Sequence, residues 1–127
     1  MNPLGVGTHI VECLRIAQLI ERHGELFLRR VFTPREIEYC SSRRLVTQQY
    51  AAQWAAKEAV LKAMGTGFTG GISWRDIEIR PEGGIRHTVA MGGSARDICA
   101  SQRIVQMLIS MSHCRTHATA YAIALGE

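Results

Sequence analysis

The sequence predicts an α+β domain in which an antiparallel sheet packs on one long central helix. Helical patterns gather in the first half of the chain, strand patterns gather in the second half, and one short strand pattern precedes both. The length of 127 residues fits a single domain that covers residues 1–127. The composition, 46% hydrophobic and 20% charged, is typical of a folded globular chain and not of a disordered one.

The first strand and the first helix follow each other without a linker. Residues 4–11 alternate in the way expected of a strand, and apolar residues recur at helical spacing through residues 12–24. Gly24 is a suitable residue to stop this helix. The opposite face of the helix carries Arg15, Gln18 and Arg22, so that two cations lie on one polar stripe.

The next helices have clear end signals. Thr33 is a suitable N-cap, Pro34 follows at the first helical position, and Glu36 completes a capping box. A longer Ala- and Leu-rich helix is predicted over residues 44–64. It ends at Gly65-Thr66-Gly67, where two glycines permit positive φ angles.

The second half of the chain reads mainly as strands. A short helix is predicted over residues 94–103, with Ser94 as its N-cap and Asp97 in the capping box. A glycine-containing turn at residues 82–84 indicates a hairpin. Alternating apolar residues predict four strands, at residues 74–81, 85–91, 104–112 and 116–125.

Charge and composition narrow the range of partners. The net charge of +4 suggests an anionic partner, but no basic run is longer than a pair and aromatic residues make up only 6%, which argues against nucleic acid. No apolar run approaches the roughly 20 residues that span a bilayer, and the first residues do not resemble a signal peptide. The four cysteines have no paired spacing and are expected to be free thiols. We therefore expect a cytoplasmic protein with no membrane association.

The stretch "WAAKEAVLKAMGTG" places Lys57, Glu58 and Lys62 in an otherwise apolar helix. One interpretation is a surface salt bridge at i, i+4 spacing, worth a few tenths of a kcal/mol. The other is a cleft for a metal-bound phosphate. There, Glu58 would hold Mg²⁺, Lys62 would neutralise phosphate oxygens, and the glycine turn would let the ligand approach. The helix alone leaves both open, although its apolar flanks favour the cleft.

Five segments together resemble a known family: "GVGTHIVECLRI", "FTPREIEYC", "WAAKEAVLKAMGTG", "WRDIEIR" and "ISMSHCRTHATAYAIA". In order and spacing they are similar to the holo-acyl-carrier-protein synthases, the small class of 4′-phosphopantetheinyl transferases. The resemblance implies transfer of the phosphopantetheine arm of coenzyme A to a serine of an acyl carrier protein, with release of adenosine 3′,5′-bisphosphate. It also implies Mg²⁺ on the pyrophosphate, and a homotrimer with active sites between neighbouring subunits.

The resemblance assigns roles to residues of this chain. It implies that Glu58 and Lys62 are catalytic, with Glu58 as a metal ligand and Lys62 at the phosphates. It implies that Arg15 and Arg22 dock the carrier protein. Further contacts to the coenzyme are implied for Lys57, Gly65, Thr66, Gly67 and His113.

Three positions depart from the family pattern. His9 stands where the family has its second metal-binding aspartate, Gln53 where it commonly has an arginine, and Cys114 where it often has an aspartate. As a metal ligand His9 would weaken Mg²⁺ binding, because imidazole suits softer ions, so Mn²⁺ or another divalent ion is an alternative. Several hypotheses follow: an active transferase, an impaired relative that binds a carrier protein or a nucleotide without transfer, and a different transferase chemistry or a transition-metal site based on His9.

Overall fold

A computed structural model describes residues 1–127 and confirms the α+β class, with an antiparallel sheet packed on a long helix. No helix in it is both long enough and apolar enough to cross a bilayer. A short 3₁₀ turn occupies Trp74–Asp76. The helices are α1 (Cys13–His23), α2 (Glu25–Val31), α3 (Pro34–Ser41), α4 (Val46–Met64) and α5 (Gly93–Ser101). The strands are β1 (Asn2–Glu12), β2 (Ile77–Pro81), β3 (His87–Met91), β4 (Ile104–His113) and β5 (His117–Gly126).

The five strands form one sheet in the order β1-β5-β4-β3-β2, and every neighbouring pair is antiparallel. The first strand therefore pairs with the last one, which joins the two ends of the chain. In this register Gly7 lies opposite Ala122 and His9 opposite Ala120. One face of the sheet packs on α4, and the other face is largely exposed.

Helix α4 lies unusually close to the sheet because the strands beneath it carry almost no side chains. A Cβ atom on Gly5 or Gly7 would lie 2.0 Å from the carbonyl oxygen of Ala63 or Ala59. On the neighbouring strand β5, every side chain that faces the helix is a fully buried alanine: Ala118, Ala120, Ala122 and Ala124. The glycines of the first strand are thus required by the approach of the helix, since any side chain there would collide with its backbone.

Helix α4 is buried on nearly all sides, as 12 of its 19 residues are buried. A helix that is apolar all round belongs in a core, and here helices α1 and α3 cover the side that faces away from the sheet. Helix α4 ends at a glycine with a positive φ angle, as the sequence predicts. Gly65 adopts φ 74°, and the N–H groups of Gly65 and Thr66 donate to the carbonyls of Lys62 and Leu61 in a Schellman motif.

The capping box of α3 is confirmed. The Thr33 N–H donates to Glu36 Oε1 at 2.8 Å, and the Glu36 N–H donates to Thr33 Oγ1 at 3.3 Å. Gly24 ends α1 with φ 56°, also as predicted.

Other details of the sequence prediction are wrong. Ser94 does not cap α5, because that helix begins at Gly93, with Gly92 as its N-cap and no side-chain cap. Residues 74–76 are not strand, because Asp76 accepts hydrogen bonds from Ser73 and winds them into a 3₁₀ turn. Helix α2 was not predicted at all, and α4 begins at Val46, two residues later than expected.

A buried ion pair joins three elements beside α4. Lys57 Nζ lies 2.8 Å from Glu36 Oε1, and both side chains are completely buried. The ammonium also donates to the carbonyls of Trp74 and Ile77, while Glu36 Oε2 accepts from the Ile79 N–H at 2.7 Å. Burial lowers the pKa of Lys57, and the Glu36 carboxylate opposes that shift. Because three acceptors use all three protons of the ammonium, Lys57 ties α3 and β2 to α4.

We expect Lys57→Met to destabilise the protein by about 3–5 kcal/mol, because Glu36 would remain buried without its counter-charge. Urea unfolding followed by circular dichroism measures this loss. The double variant Lys57→Met/Glu36→Gln should lose less than the sum of the two single variants, since it leaves no unpaired charge. A near-neutral effect of Lys57→Met on the free energy of unfolding would contradict this account of the pair.

Candidate functional site

A cavity of about 380 Å³ opens where the end of β1 meets the middle of α4. It brings together carboxylates, imidazoles and a guanidinium from four elements. Its lining comprises His9, Ile10, Val11, Glu12, Arg15, Trp54, Glu58 and His117. Two predicted site residues that are 49 positions apart in sequence, His9 and Glu58, therefore line one cavity.

The close packing of β1 on α4 explains how these residues meet. Gly7 and His9 lie on the same face of the strand, since side chains alternate along it. The backbone at Gly7 touches α4 at Ala59 and Lys62, so the next residue on that face, His9, emerges beside Glu58 and Lys62. Beyond Gly7 there is again room for a side chain, and the cavity begins there.

Lys62 is held against β1 by two acceptors. Its Nζ atom donates to the Thr8 carbonyl oxygen at 2.9 Å and lies 3.2 Å from His9 Nδ1. An ammonium group can only donate, so Nδ1 accepts and the ring hydrogen resides on Nε2. The predicted i, i+4 salt bridge between Glu58 and Lys62 is absent from the ion pairs of the structure, and Lys62 faces His9 instead.

The surroundings of His9 lower the pKa of its imidazole and so favour the neutral ring. Burial lowers its pKa, the Glu58 carboxylate partly offsets that effect, and the cations Lys62 and Arg15 reinforce it. A neutral ring with its hydrogen on Nε2 is the state that the bond from Lys62 requires.

The donor atoms do not fit the divalent metal site expected from the sequence. Mg²⁺ requires oxygen ligands, and of the two predicted ligands only Glu58 supplies them. His9 offers no free nitrogen lone pair, because Nδ1 accepts from Lys62 and Nε2 carries the hydrogen. The structure contains no group of three or more His, Cys, Asp or Glu side chains arranged to hold a metal ion.

The glycine turn beyond α4 leaves open space. Gly65 and Gly67 both have positive φ, and no heavy atom beyond the adjacent residues lies within 4 Å of the position that a Cβ would occupy on either residue. Thr66 lies between them, and its hydroxyl donates to the Gly67 carbonyl. Contact of this turn with the coenzyme stays a prediction, and the open space is compatible with it.

His113 lies in a second cavity of about 390 Å³, which adjoins the first at Ile10 and His117. Cys114 lines the same cavity and is exposed. Hydrogen bonds from Thr116 and from the backbone lower the pKa of Cys114 to about 7. Within a single chain, His113 and Glu58 thus face different cavities, and the phosphate contact predicted for His113 stays a prediction.

A third cavity, of about 420 Å³, lies between α1 and α2 and is called the α1–α2 groove below. It has an apolar floor and a basic rim, and Arg15 and Trp54 line both this groove and the Glu58 cavity. Arg22 is exposed on α1 but does not line it. The residues of the groove are Arg15, Leu19, His23, Leu26, Phe27, Arg30, Val31, Trp54 and Trp74.

One predicted coenzyme contact and one departure from the family pattern are buried in the structure. Lys57 is fully buried and has its three acceptors within the core, so its assignment as a coenzyme contact is corrected to a structural one. Gln53 is 1% exposed, and neither of its amide atoms has a hydrogen-bond partner. Sequence reasoning missed Trp54, Glu12 and His117 in the cavity, because nothing in their spacing relates them to Glu58.

Comparison with known proteins gives consistent results. Residues 5–125 match the family model described as the 4′-phosphopantetheinyl transferase superfamily. A relative from Rhodopirellula baltica, named holo-[acyl-carrier-protein] synthase, is 43% identical over 97% of this chain and 98% of its own length. The crystal structure of the synthase from Neisseria meningitidis superimposes with a TM-score of 0.88 at 31% identity, over 98% of this chain and 99% of that one.

A third similar protein was solved with a ligand. The synthase from Helicobacter pylori, in complex with coenzyme A, matches with a TM-score of 0.83 at 26% identity, over 94% of this chain and 99% of that one. Sequence and fold therefore agree along almost the whole chain. The chain belongs to the holo-acyl-carrier-protein synthases of the 4′-phosphopantetheinyl transferase superfamily.

Proposed function

We propose that this protein transfers the 4′-phosphopantetheine group of coenzyme A to a serine of an acyl carrier protein. The observation that carries the proposal is the continuity between the Glu58 cavity and the α1–α2 groove, which share Arg15 and Trp54. A carrier protein seated in the groove would present its serine to the cavity. The four free cysteines support a reducing compartment, the cytoplasm, as the place of action.

In this reaction the serine oxygen attacks the β-phosphorus of coenzyme A. The bond from that phosphorus to the bridging oxygen breaks, the serine proton passes to water, and adenosine 3′,5′-bisphosphate leaves. Catalysis of this type depends on positioning groups and neutralising charge. Lys62, fixed by the Thr8 carbonyl and by His9, is placed to neutralise phosphate oxygens. Glu58 supplies the carboxylate of the cavity, and the turn at Gly65-Thr66-Gly67, together with His113, would contact the coenzyme.

The Mg²⁺ that the family resemblance implies would supply positive charge that offsets the charge of the pyrophosphate. Glu58 is the residue of this chain that would face such an ion, or Mn²⁺ in its place, since His9 is engaged by Lys62. On the protein side, Lys62 would meet the charge of the pyrophosphate.

A mass measurement tests the transfer. Purified protein is mixed with coenzyme A and an apo acyl carrier protein, in parallel with Mg²⁺, Mn²⁺ and Zn²⁺, and the carrier is weighed by mass spectrometry. We expect a gain of one phosphopantetheine arm. Glu58→Gln should reduce the rate by about a hundredfold or more, because it removes the only carboxylate among the predicted catalytic and metal-binding residues.

The matched control is Glu38→Gln, which makes the same change on the exposed face of α3 and should leave the rate intact. Undiminished transfer by Glu58→Gln would refute the role of Glu58. Absence of any gain with all three metals, while an active synthase labels the same carrier, would favour the second candidate function, a relative that binds a carrier protein or nucleotide without transfer. The imidazole of His9, at the position where the family resemblance implies an aspartate, is the feature that keeps this second function open.

Carrier docking is proposed at Arg15 and Arg22 and at the rim of the α1–α2 groove. We expect Arg15→Glu to raise the KM for the carrier protein by roughly tenfold at low ionic strength, because it reverses a charge that attracts an acidic partner. The affinity for coenzyme A, measured by calorimetry, should change little. Arg96→Glu, the same change on α5, is the control and should not alter the KM. Equal KM values for Arg15→Glu and the parent at low salt would contradict docking at this face.

The exposed face of the sheet supports the proposed homotrimer. The outward side chains of β1, β4 and β5 form an apolar surface that no element of this chain covers. Its members include Val6 at 70% exposure, Ile10 at 62% and Tyr121 at 58%. Apolar surfaces of this kind mark interfaces, and copies of the same chain are the partners that the resemblance implies.

Sedimentation equilibrium should therefore give three times the 14.1 kDa mass of the chain. We expect Tyr121→Glu to shift the mass toward the monomer, because it buries a charge at the centre of this face. Ile85→Glu places the same charge at the fully exposed tip of the β2–β3 hairpin and should leave the trimer intact. A parent protein that sediments as a monomer would refute the trimer.

A further inference from the structure

The contact between Lys62 and His9 determines which ligands the cavity can offer to a cation. Both acceptors of the ammonium come from adjacent residues of β1, the Thr8 carbonyl at 2.9 Å and His9 Nδ1 at 3.2 Å. To bind a metal through Nδ1, His9 would have to release Lys62. To bind through Nε2, the ring would have to move its hydrogen to Nδ1 and point it at the ammonium. Either change removes a hydrogen bond or sets two donors against each other.

The charges of the cavity also oppose a resident cation. Glu58 and Glu12 contribute two carboxylates, while Arg15 lines the same cavity and Lys62 borders it at His9. Two negative charges are thus met by two positive ones. To bind in this cavity, a divalent ion would have to lose part of its hydration shell, and of the predicted ligands only the Glu58 carboxylate would replace it. Mg²⁺ loses its bound water reluctantly.

We propose that the cavity holds no resident divalent cation in the protein without coenzyme, because its own side chains do not supply the ligands that such an ion needs. This inference rests on the proposed function only for the identity of the ion, which is the one that the transfer reaction would use. In place of a metal ligand, His9 is a positioning residue that holds Lys62 against β1.

The binding of Mn²⁺, measured as loss of the free-ion signal in electron paramagnetic resonance, tests the proposal without any transfer assay. The parent should bind Mn²⁺ no more tightly than Glu58→Gln when coenzyme is absent. His9→Asp should bind Mn²⁺ without coenzyme at least about tenfold more tightly than the parent, because ligand charge controls affinity. His9→Asn, of similar size and without charge, is the matched control and should resemble the parent.

A second pair of variants tests the role of Lys62 in the event that His9→Asp does not fold. Lys62→Met frees His9 Nδ1, so the coenzyme-free variant should gain affinity for Zn²⁺, which imidazole suits, in isothermal titration calorimetry. Lys62→Met/His9→Ala should lose that gain.

Different results overturn the inference and the proposed function. Mn²⁺ binding by the coenzyme-free parent that Glu58→Gln loses would overturn the inference, as would no gain of Zn²⁺ affinity in Lys62→Met. Failure of coenzyme A to bind the parent in calorimetry would instead remove the proposed function and leave the inference about the coenzyme-free protein standing. Absence of transfer to the carrier, with the metal results as expected, would leave the inference standing in a protein that binds coenzyme without reaction.

Discussion

The near contact between α4 and the backbone of β1 is the constraint on which the rest of the structure depends. A side chain at Gly5 or Gly7 would meet a helix carbonyl at 2.0 Å, and the alanines of β5 extend the same flat floor beneath the helix. This arrangement sets the height of α4 above the sheet. It also sets the position of the site, because Lys62 can reach the Thr8 carbonyl only from a helix that lies this close.

The charged side chains of helix α4 point in different directions. Lys57 and Glu58 are neighbours in sequence but point about 100° apart on a helix. Lys57 turns into the core, where Glu36 and two carbonyls receive it, whereas Glu58 opens into the cavity. Lys62 lies one turn beyond Glu58 and reaches the strand. A cluster of charges that looks like one motif in the sequence therefore serves two purposes, stability on one side and chemistry on the other.

The sequence predicts those features of the fold that residue type, local spacing and periodicity determine. The Thr33 capping box and the glycine ends at Gly24 and Gly65 follow from residue type and spacing, and the α+β order follows from periodicity. The partnership of Lys57 with Glu36 does not, because the pair is 21 residues apart and Glu36 already had a role as a cap. The α1–α2 groove was missed for a related reason: it needs helix α2, which has no cap signal, and side chains brought from α4.

Position 9 differs from positions 5 and 7 in what the packing of α4 demands of it. At Gly5 and Gly7 the helix backbone excludes any side chain, so substitution there would disturb the packing of α4. His9 lies on the same face but past the contact, where the cavity provides room for a side chain. A substitution at position 9 therefore acts on the electrostatics of the cavity and not on the packing of the helix. The side chain there determines which acceptor Lys62 finds on β1 beside the Thr8 carbonyl.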